Sequence, residues 1–184
     1  MTAPSAPDAP SDGPPRGVLI AAVVLAVAAV VGVLVVAAVR VRSERPQPVA
    51  LVTVPAPQAG GDACRALLAA LPADLGDYHR AELVDPAPVG AAAWQADGRS
   101  EAVVLRCGLE RPLDFVAGTP VQVVDEVSWF RVGEPGRTTW IAVDRPTYVA
   151  LTLPDGSGPT PIQLVSESVA AALPRVTPSP GPAG

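Results

Sequence analysis

Few residues in this 184-residue chain are of types that do chemistry. The single histidine, His79, lies in Gly76-Asp77-Tyr78-His79-Arg80, where Asp77 could orient it as a general base. A base needs a nucleophile to activate, and no G-x-S-x-G elbow is present. His79 is therefore expected to be a solvated loop residue. Asp125 and Glu126 adjoin in an extended run, so they point to opposite faces and do not form a carboxylate dyad. Whichever faces the core side would find an ion-pair partner in Arg106 or Arg131. A glycosidase needs two carboxylates about 5–10 Å apart in a cleft, a pairing that the sequence neither excludes nor favours. Metal chemistry lacks H-E-x-x-H and an EF-hand loop, since Asp155-Gly156-Ser157-Gly158 is short of oxygen ligands. No phosphate-cradling glycine loop is present either. No catalytic, cofactor-binding or metal site is assigned on these grounds.

Tryptophans and cysteines remain. Trp94, Trp129 and Trp140 all fall in expected strands, and an exposed pair would make a flat platform for a sugar or peptide. The competing role is to fill a core poor in other aromatics. Trp129 shares a face with Val123 and Val127, which suits burial. Cys64 and Cys107 are the only cysteines, spaced unlike C-x-x-C motifs or zinc knuckles. An exclusive pair reads most simply as a disulfide in an oxidising compartment; two buried free thiols are the alternative.

The elements that must position these residues hang from one apolar run, Val18 to Val39, without a charge or polar side chain. As a helix, 22 residues reach about 33 Å, enough to cross a hydrocarbon core of about 30 Å. The run exceeds a signal h-region, and neither a basic segment nor a small-x-small exit frames it, so a retained single span is expected. Residues 1–17 and 174–184 are Pro-rich and expected to be disordered, and residues 40–61 read as a Pro/Gly linker. Two rules disagree on orientation. Arg40, Arg42 and Arg45 follow the span and only Arg16 precedes it, which favours a cytoplasmic domain. The cysteine pair favours the outside, and that is the expectation adopted: a plasma-membrane, single-pass protein with its large C-terminal domain extracytoplasmic.

That domain, residues 62–173, holds 15 carboxylates against 8 arginines, a balance that excludes nucleic-acid binding. Asp62 to Leu71 reads as a helix stopped by Pro72, with Cys64, Leu67, Leu68 and Leu71 on one stripe. Leu75 to Val84 reads as irregular or a short helix. Val89–Gln95 and Ser100–Leu109 flank Asp97-Gly98, a strong hairpin signal. Val121–Val132, Arg137–Asp144 and Thr147–Leu153 follow as strands, and Ile162, Val165, Val169 and Leu173 form a last helical stripe. Cys107 shares a face with Val103 and Leu105, so a Cys64–Cys107 bond would pin helix to sheet. The expected fold class is α+β: a single N-terminal transmembrane helix, then a two-layer domain of antiparallel sheet with flanking helices and one disulfide.

A Cys-started helix ending in Leu-Pro, Ala91-Ala92-Ala93-Trp94, Leu105-Arg106-Cys107-Gly108 with Pro112, and Val127-Ser128-Trp129 together carry a likeness. The chain resembles the actinobacterial membrane-anchored or secreted family catalogued as domain of unknown function 3515, from about residue 63 to residue 173. Trp94 followed after a hairpin by Leu-Arg-Cys-Gly is the most specific piece. The tip Gln95-Ala96-Asp97-Gly98-Arg99 is longer and more polar than is usual there. The resemblance implies an envelope location and a paired cysteine, and it brings no known activity.

The expected function is an uncharacterised, membrane-anchored cell-envelope protein, non-enzymatic, that binds or scaffolds. Its partners would be membrane lipid through the span and another envelope protein or a cell-wall component. One alternative is an envelope enzyme or accessory acting on cell-wall material through surface carboxylates. Another is a small subunit of a membrane complex, assembled through the small-xxx-small spacing of Ala28 and Gly32. A pocket with two close carboxylates would favour the enzyme, and a flat, apolar, exposed strand edge the binding module.

Overall fold

A computed structural model describes residues 16–43 and 48–183. The expected disordered N-terminal tail lies, up to residue 15, outside the described residues. The chain divides into two compact units, Met1–Arg45 and Pro46–Gly184. The first contains α1 (Arg16–Ser43), which extends beyond the apolar run at both ends. Its apolar side chains surround the axis with no polar stripe, so no face is specialised for packing on a soluble core. Gly17–Ala37 is long and apolar enough to cross a membrane, a criterion that a signal sequence also meets.

The second unit begins its regular structure with α2 (Asp62–Ala70). Strands β1 (Asp74–Leu75), β2 (Tyr78–Ala81), β3 (Ala91–Ala96) and β4 (Val103–Leu109) follow, then β5 (Val121–Val124), β6 (Val127–Glu134), β7 (Arg137–Ala142) and β8 (Tyr148–Pro154). Helix α3 (Thr160–Ala172) closes the order. The eight strands form one sheet in the order β1-β2-β3-β4-β8-β7-β6-β5, antiparallel throughout. Two meanders thus meet at the β4–β8 seam, and β1 and β5 are the edges.

Period-2 alternation gives each strand two faces. One face places Trp94, Val103, Leu105, Trp129 and Leu151 against Leu67 of α2 and Val165 and Val169 of α3. Cys64 and Cys107 are bonded there, with Cα atoms 5.6 Å apart. The other face gathers Phe115, Phe130, Ile141, Val143 and Ala150 into a smaller cluster. The fold is the expected α+β class with its antiparallel sheet, two helices and one disulfide.

Four local expectations change. Leu75 to Val84 holds the short strands β1 and β2, because Leu75 and Tyr78 are both buried and serve as pleat residues. Residues 40–61 are not all linker. Val49 accepts from Val84 and donates to Glu82 (3.0 and 2.8 Å), and the Gln58 amide donates to the Gly108 carbonyl (3.1 Å). Gly108 permits this approach: at φ +90°, a Cβ there would overlap the Ala59 backbone. Nor is the segment from residue 174 a free tail. Val176 donates to Asp144 (2.9 Å), Ala117 to Gly181 (2.9 Å) and Gly181 to Phe115 (2.8 Å). Proline keeps this strap extended, and the 115–117 loop supplies the bonding partners its own sequence lacks.

The fourth change concerns Val121–Val132, which is two strands rather than one. Asp125 and Glu126 form a two-residue turn at φ 42° and 66°. The twist of a tight hairpin requires both residues to adopt positive φ, a region in which a side chain such as that of Glu is strained. Glu126→Gly is accordingly expected to stabilise the domain by about 1 kcal/mol, read as a higher urea midpoint with unchanged slope.

Candidate functional site

Helix placement sorts the three tryptophans. Trp94 and Trp129 lie beneath the helices at 0% exposure. The Trp94 indole donates to the Pro72 carbonyl (3.1 Å), and the Arg80 guanidinium lies 4.8 Å from the ring centroid. Trp129 donates to Ser166 Oγ (3.0 Å), which in turn donates to the Ile162 carbonyl (2.7 Å). A platform built on Trp94 or Trp129 is therefore corrected, since neither ring offers a face to solvent.

Trp140 differs. It is half-buried on β7, with Arg131 opposite it on β6 and the Arg131 guanidinium 5.8 Å from the ring centroid. The β8–α3 loop, Asp155–Pro159, carries the chain off the sheet before α3 returns over it. Between the first turn of α3 and the sheet lies a cleft of about 430 Å³, mostly apolar, walled by Val124, Trp140, Leu153 and Ile162. Thr138, Asp155, Ser157 and Gln163 supply its polar groups.

The loop that forms one wall is braced from the distant β3–β4 hairpin. Arg99 donates to the Tyr78 hydroxyl (3.2 Å) and to the Gly156 carbonyl (3.4 Å), while the Tyr78 and Ser157 hydroxyls are 3.2 Å apart. Ser157 Oγ also donates to the Pro154 carbonyl. The polar hairpin tip thus has a structural task, holding the rim of the cleft.

His79 lies on β2 rather than in a loop, and its partner is Asp74 rather than Asp77. The β1–β2 register sets the two side by side, with Nδ1 2.7 Å from Asp74 Oδ1. That hydrogen bond, aided by the charges of Asp74, Asp97 and Asp77, holds the imidazole above its ordinary value despite some desolvation. The charged form is favoured in the fold, so the contribution to stability is complete below the ordinary imidazole pKa of about 6.5 and is lost as pH rises through the raised one. We expect an NMR titration of His79 to have its midpoint above the ordinary value, and Asp74→Asn to lower it. An unmoved midpoint would show that the contact does not persist in solution.

Asp125 and Glu126 do not pair with Arg106 or Arg131. Their turn, with Glu167, Ala170 and Ala171 of α3, lines a shallow, open pocket of about 460 Å³. The Glu126 carbonyl accepts from Arg145 Nη2 (2.8 Å). Among the described residues no group of three or more His, Cys, Asp or Glu side chains is arranged to hold a metal ion.

Sequence reasoning missed Asp144. Its carboxylate is fully buried, 3.7 Å from Arg145 Nε and 3.6 Å from Arg175 Nε, and neither oxygen has a hydrogen-bond partner. Asp144 ends the expected strand Arg137–Asp144 with no local signal of burial, and the strap passes beside it, the Val176 amide donating to its carbonyl (2.9 Å).

No curated protein and no solved structure matches the chain. The family model described as Protein of unknown function (DUF3515) matches residues 23–178, from within α1 to the strap, and the chain belongs to that family.

Proposed function

We propose that the protein is a single-pass membrane protein of the cell envelope whose C-terminal domain lies outside the membrane and binds an envelope protein or cell-wall component without catalysis. The observation that carries this reading is Trp140: it alone of the three tryptophans stays partly open, and it walls an apolar cleft. Aromatic and aliphatic walls with a few polar groups are the usual make-up of a ligand site. The buried Cys64–Cys107 bond supports an external domain, because such bonds persist in oxidising compartments. Arg40, Arg42 and Arg45 pull the other way.

Two measurements test the reading. Leu113 is 91% exposed, so Leu113→Cys provides a reactive thiol in a chain whose native cysteines are bonded to each other. Labelling of intact cells by a membrane-impermeant maleimide is expected; labelling only after lysis would place the domain in the cytoplasm. For the cleft, acrylamide quenching of the full chain in nanodiscs reports chiefly Trp140. Purified cell-wall fragments or an extract of envelope proteins should protect it. Unchanged quenching with both would remove the cleft as a binding site.

The pocket at Asp125, Glu126 and Glu167 favours a second reading, an enzyme acting on cell-wall material. All three carboxylates are exposed, whereas a general acid in glycoside hydrolysis is kept protonated by burial. Binding is therefore preferred. Release of soluble fragments from purified cell wall, lost on Glu167→Gln, would reverse that preference.

A further inference from the structure

We infer that the partner is an extended peptide segment, apolar at alternate residues and basic at one end, which adds to β5 as a ninth strand and seats a side chain in the Trp140 cleft. This rests on the reading of the cleft as the binding site.

The first ground is the backbone. A two-residue turn makes Val124 and Val127 a hydrogen-bonded pair, and the register makes Gln122 and Trp129 the next. The N–H and C=O groups of Val121 and Val123 consequently point away from β6, along the outer edge of the sheet, where no other strand lies among the described residues. Edge strands are normally blocked by charge, by a bulge or by a covering segment. Here Val121 and Val123 are 41% and 66% exposed, the strand carries no charge, and only Pro120 at its entrance acts as a guard.

The second ground is continuity. Val124, the last residue of β5, is itself a wall of the cleft. In strand addition the main-chain bonds give affinity, and pockets for alternate side chains give specificity. An added strand would place its alternate side chains beside Gln122 and Val124, on the face that carries Trp140.

Charge is the third ground. Asp125, Glu126 and Glu167 cluster at the C-terminal end of β5, exposed, and none forms an ion pair with a described residue. A basic residue at the adjoining end of the incoming strand meets them. A second copy of this chain is a poorer occupant: the segment that its own β5 would bring there, Ala117-Gly118-Thr119-Pro120, is uncharged. A glycan would leave both the free edge and much of the apolar wall without partners.

The test uses the full chain in nanodiscs and a fluorescent synthetic peptide, Arg-Val-Thr-Val-Thr-Val. Control peptides carry Glu in place of Arg, or N-methylated backbone amides. Saturable binding that protects Trp140 from acrylamide is expected, weaker by about tenfold or more for either control. Val123→Pro removes only the outward N–H, which edge strands tolerate, and should weaken binding by a similar factor. Asp125→Asn with Glu126→Gly should erase the preference for Arg over Glu. Should Val123→Pro fail to fold, the N-methylated peptide carries the same test. Equal binding of the native and methylated peptides would overturn the strand model. So would concentration-dependent self-association abolished by Val123→Pro, which would make a second copy the occupant. If cell-wall fragments protect Trp140 and the peptide does not, the strand falls while the cleft stands. Protection by neither the peptide, the wall fragments nor the envelope extract removes both.

Discussion

Replacing Cys64 and Cys107 together by alanine is expected to lower the unfolding free energy of the domain by about 4 kcal/mol. The two residues are 43 apart in sequence, and the chain-entropy cost of leaving a loop of that length open sets the magnitude. Against a usual stability of about 5–15 kcal/mol, that is a quarter or more of the total. The bond matters here because α2 has only nine residues, too few to be stable alone, and presents just Cys64 and Leu67 as buried residues. Cys107 ties that helix to β4, beside Gly108, where the 58–59 segment is also fastened. Urea unfolding of the full chain checks the value. Reductant should bring the native protein to the midpoint of the alanine variant, and slowly, because both sulfurs are inaccessible until the domain opens. A midpoint indifferent to reductant would mean that α2 is held by packing alone.

Much of this architecture was legible because its signals are local. The α2 stripe carried Cys64 to the core side, Asp97-Gly98 marked the β3–β4 hairpin, and alternation put Cys107 with Val103 and Leu105. The failures have a common cause in long-range contacts. Nothing in Val124-Asp125-Glu126-Val127 supplies the Gly or Asn that announces a tight turn, so period-2 alternation ran straight through it. Segments 48–61 and 174–183 are as Pro-rich as a disordered tail, and proline content alone does not separate a free coil from an extended strap. What fixes them is acceptors elsewhere, on Glu82, Gly108, Phe115 and Asp144. The site was half legible. The apolar face of Trp129 suits burial, but nothing local separates Trp140 from Trp94, and the placement of the helices over the sheet does so.

The same distinction supplies a sharp expectation. Trp129→Ala should destabilise the domain by about 4 kcal/mol, through the cavity left by a fully buried indole. Ser166 Oγ keeps its bond to the Ile162 carbonyl in that variant, so the loss is chiefly one of packing. Trp129→Phe should therefore recover more than half of it, the remainder reflecting the smaller ring and the missing N–H. Trp140→Ala removes a partly buried ring at the margin of the core, for which no hydrogen bond is found, and should cost about 2 kcal/mol. Unfolding midpoints of the three variants, measured beside protection from acrylamide, separate core from site. Trp129→Ala should move the midpoint and leave the protection of Trp140 intact at temperatures where the domain remains folded. For Trp140→Ala, the midpoint should move only about half as far, while the quenching response disappears with its reporter and peptide binding falls. If Trp140→Ala were instead as costly as Trp129→Ala, Trp140 would be a core residue, and the cleft would lose the wall on which the binding function rests.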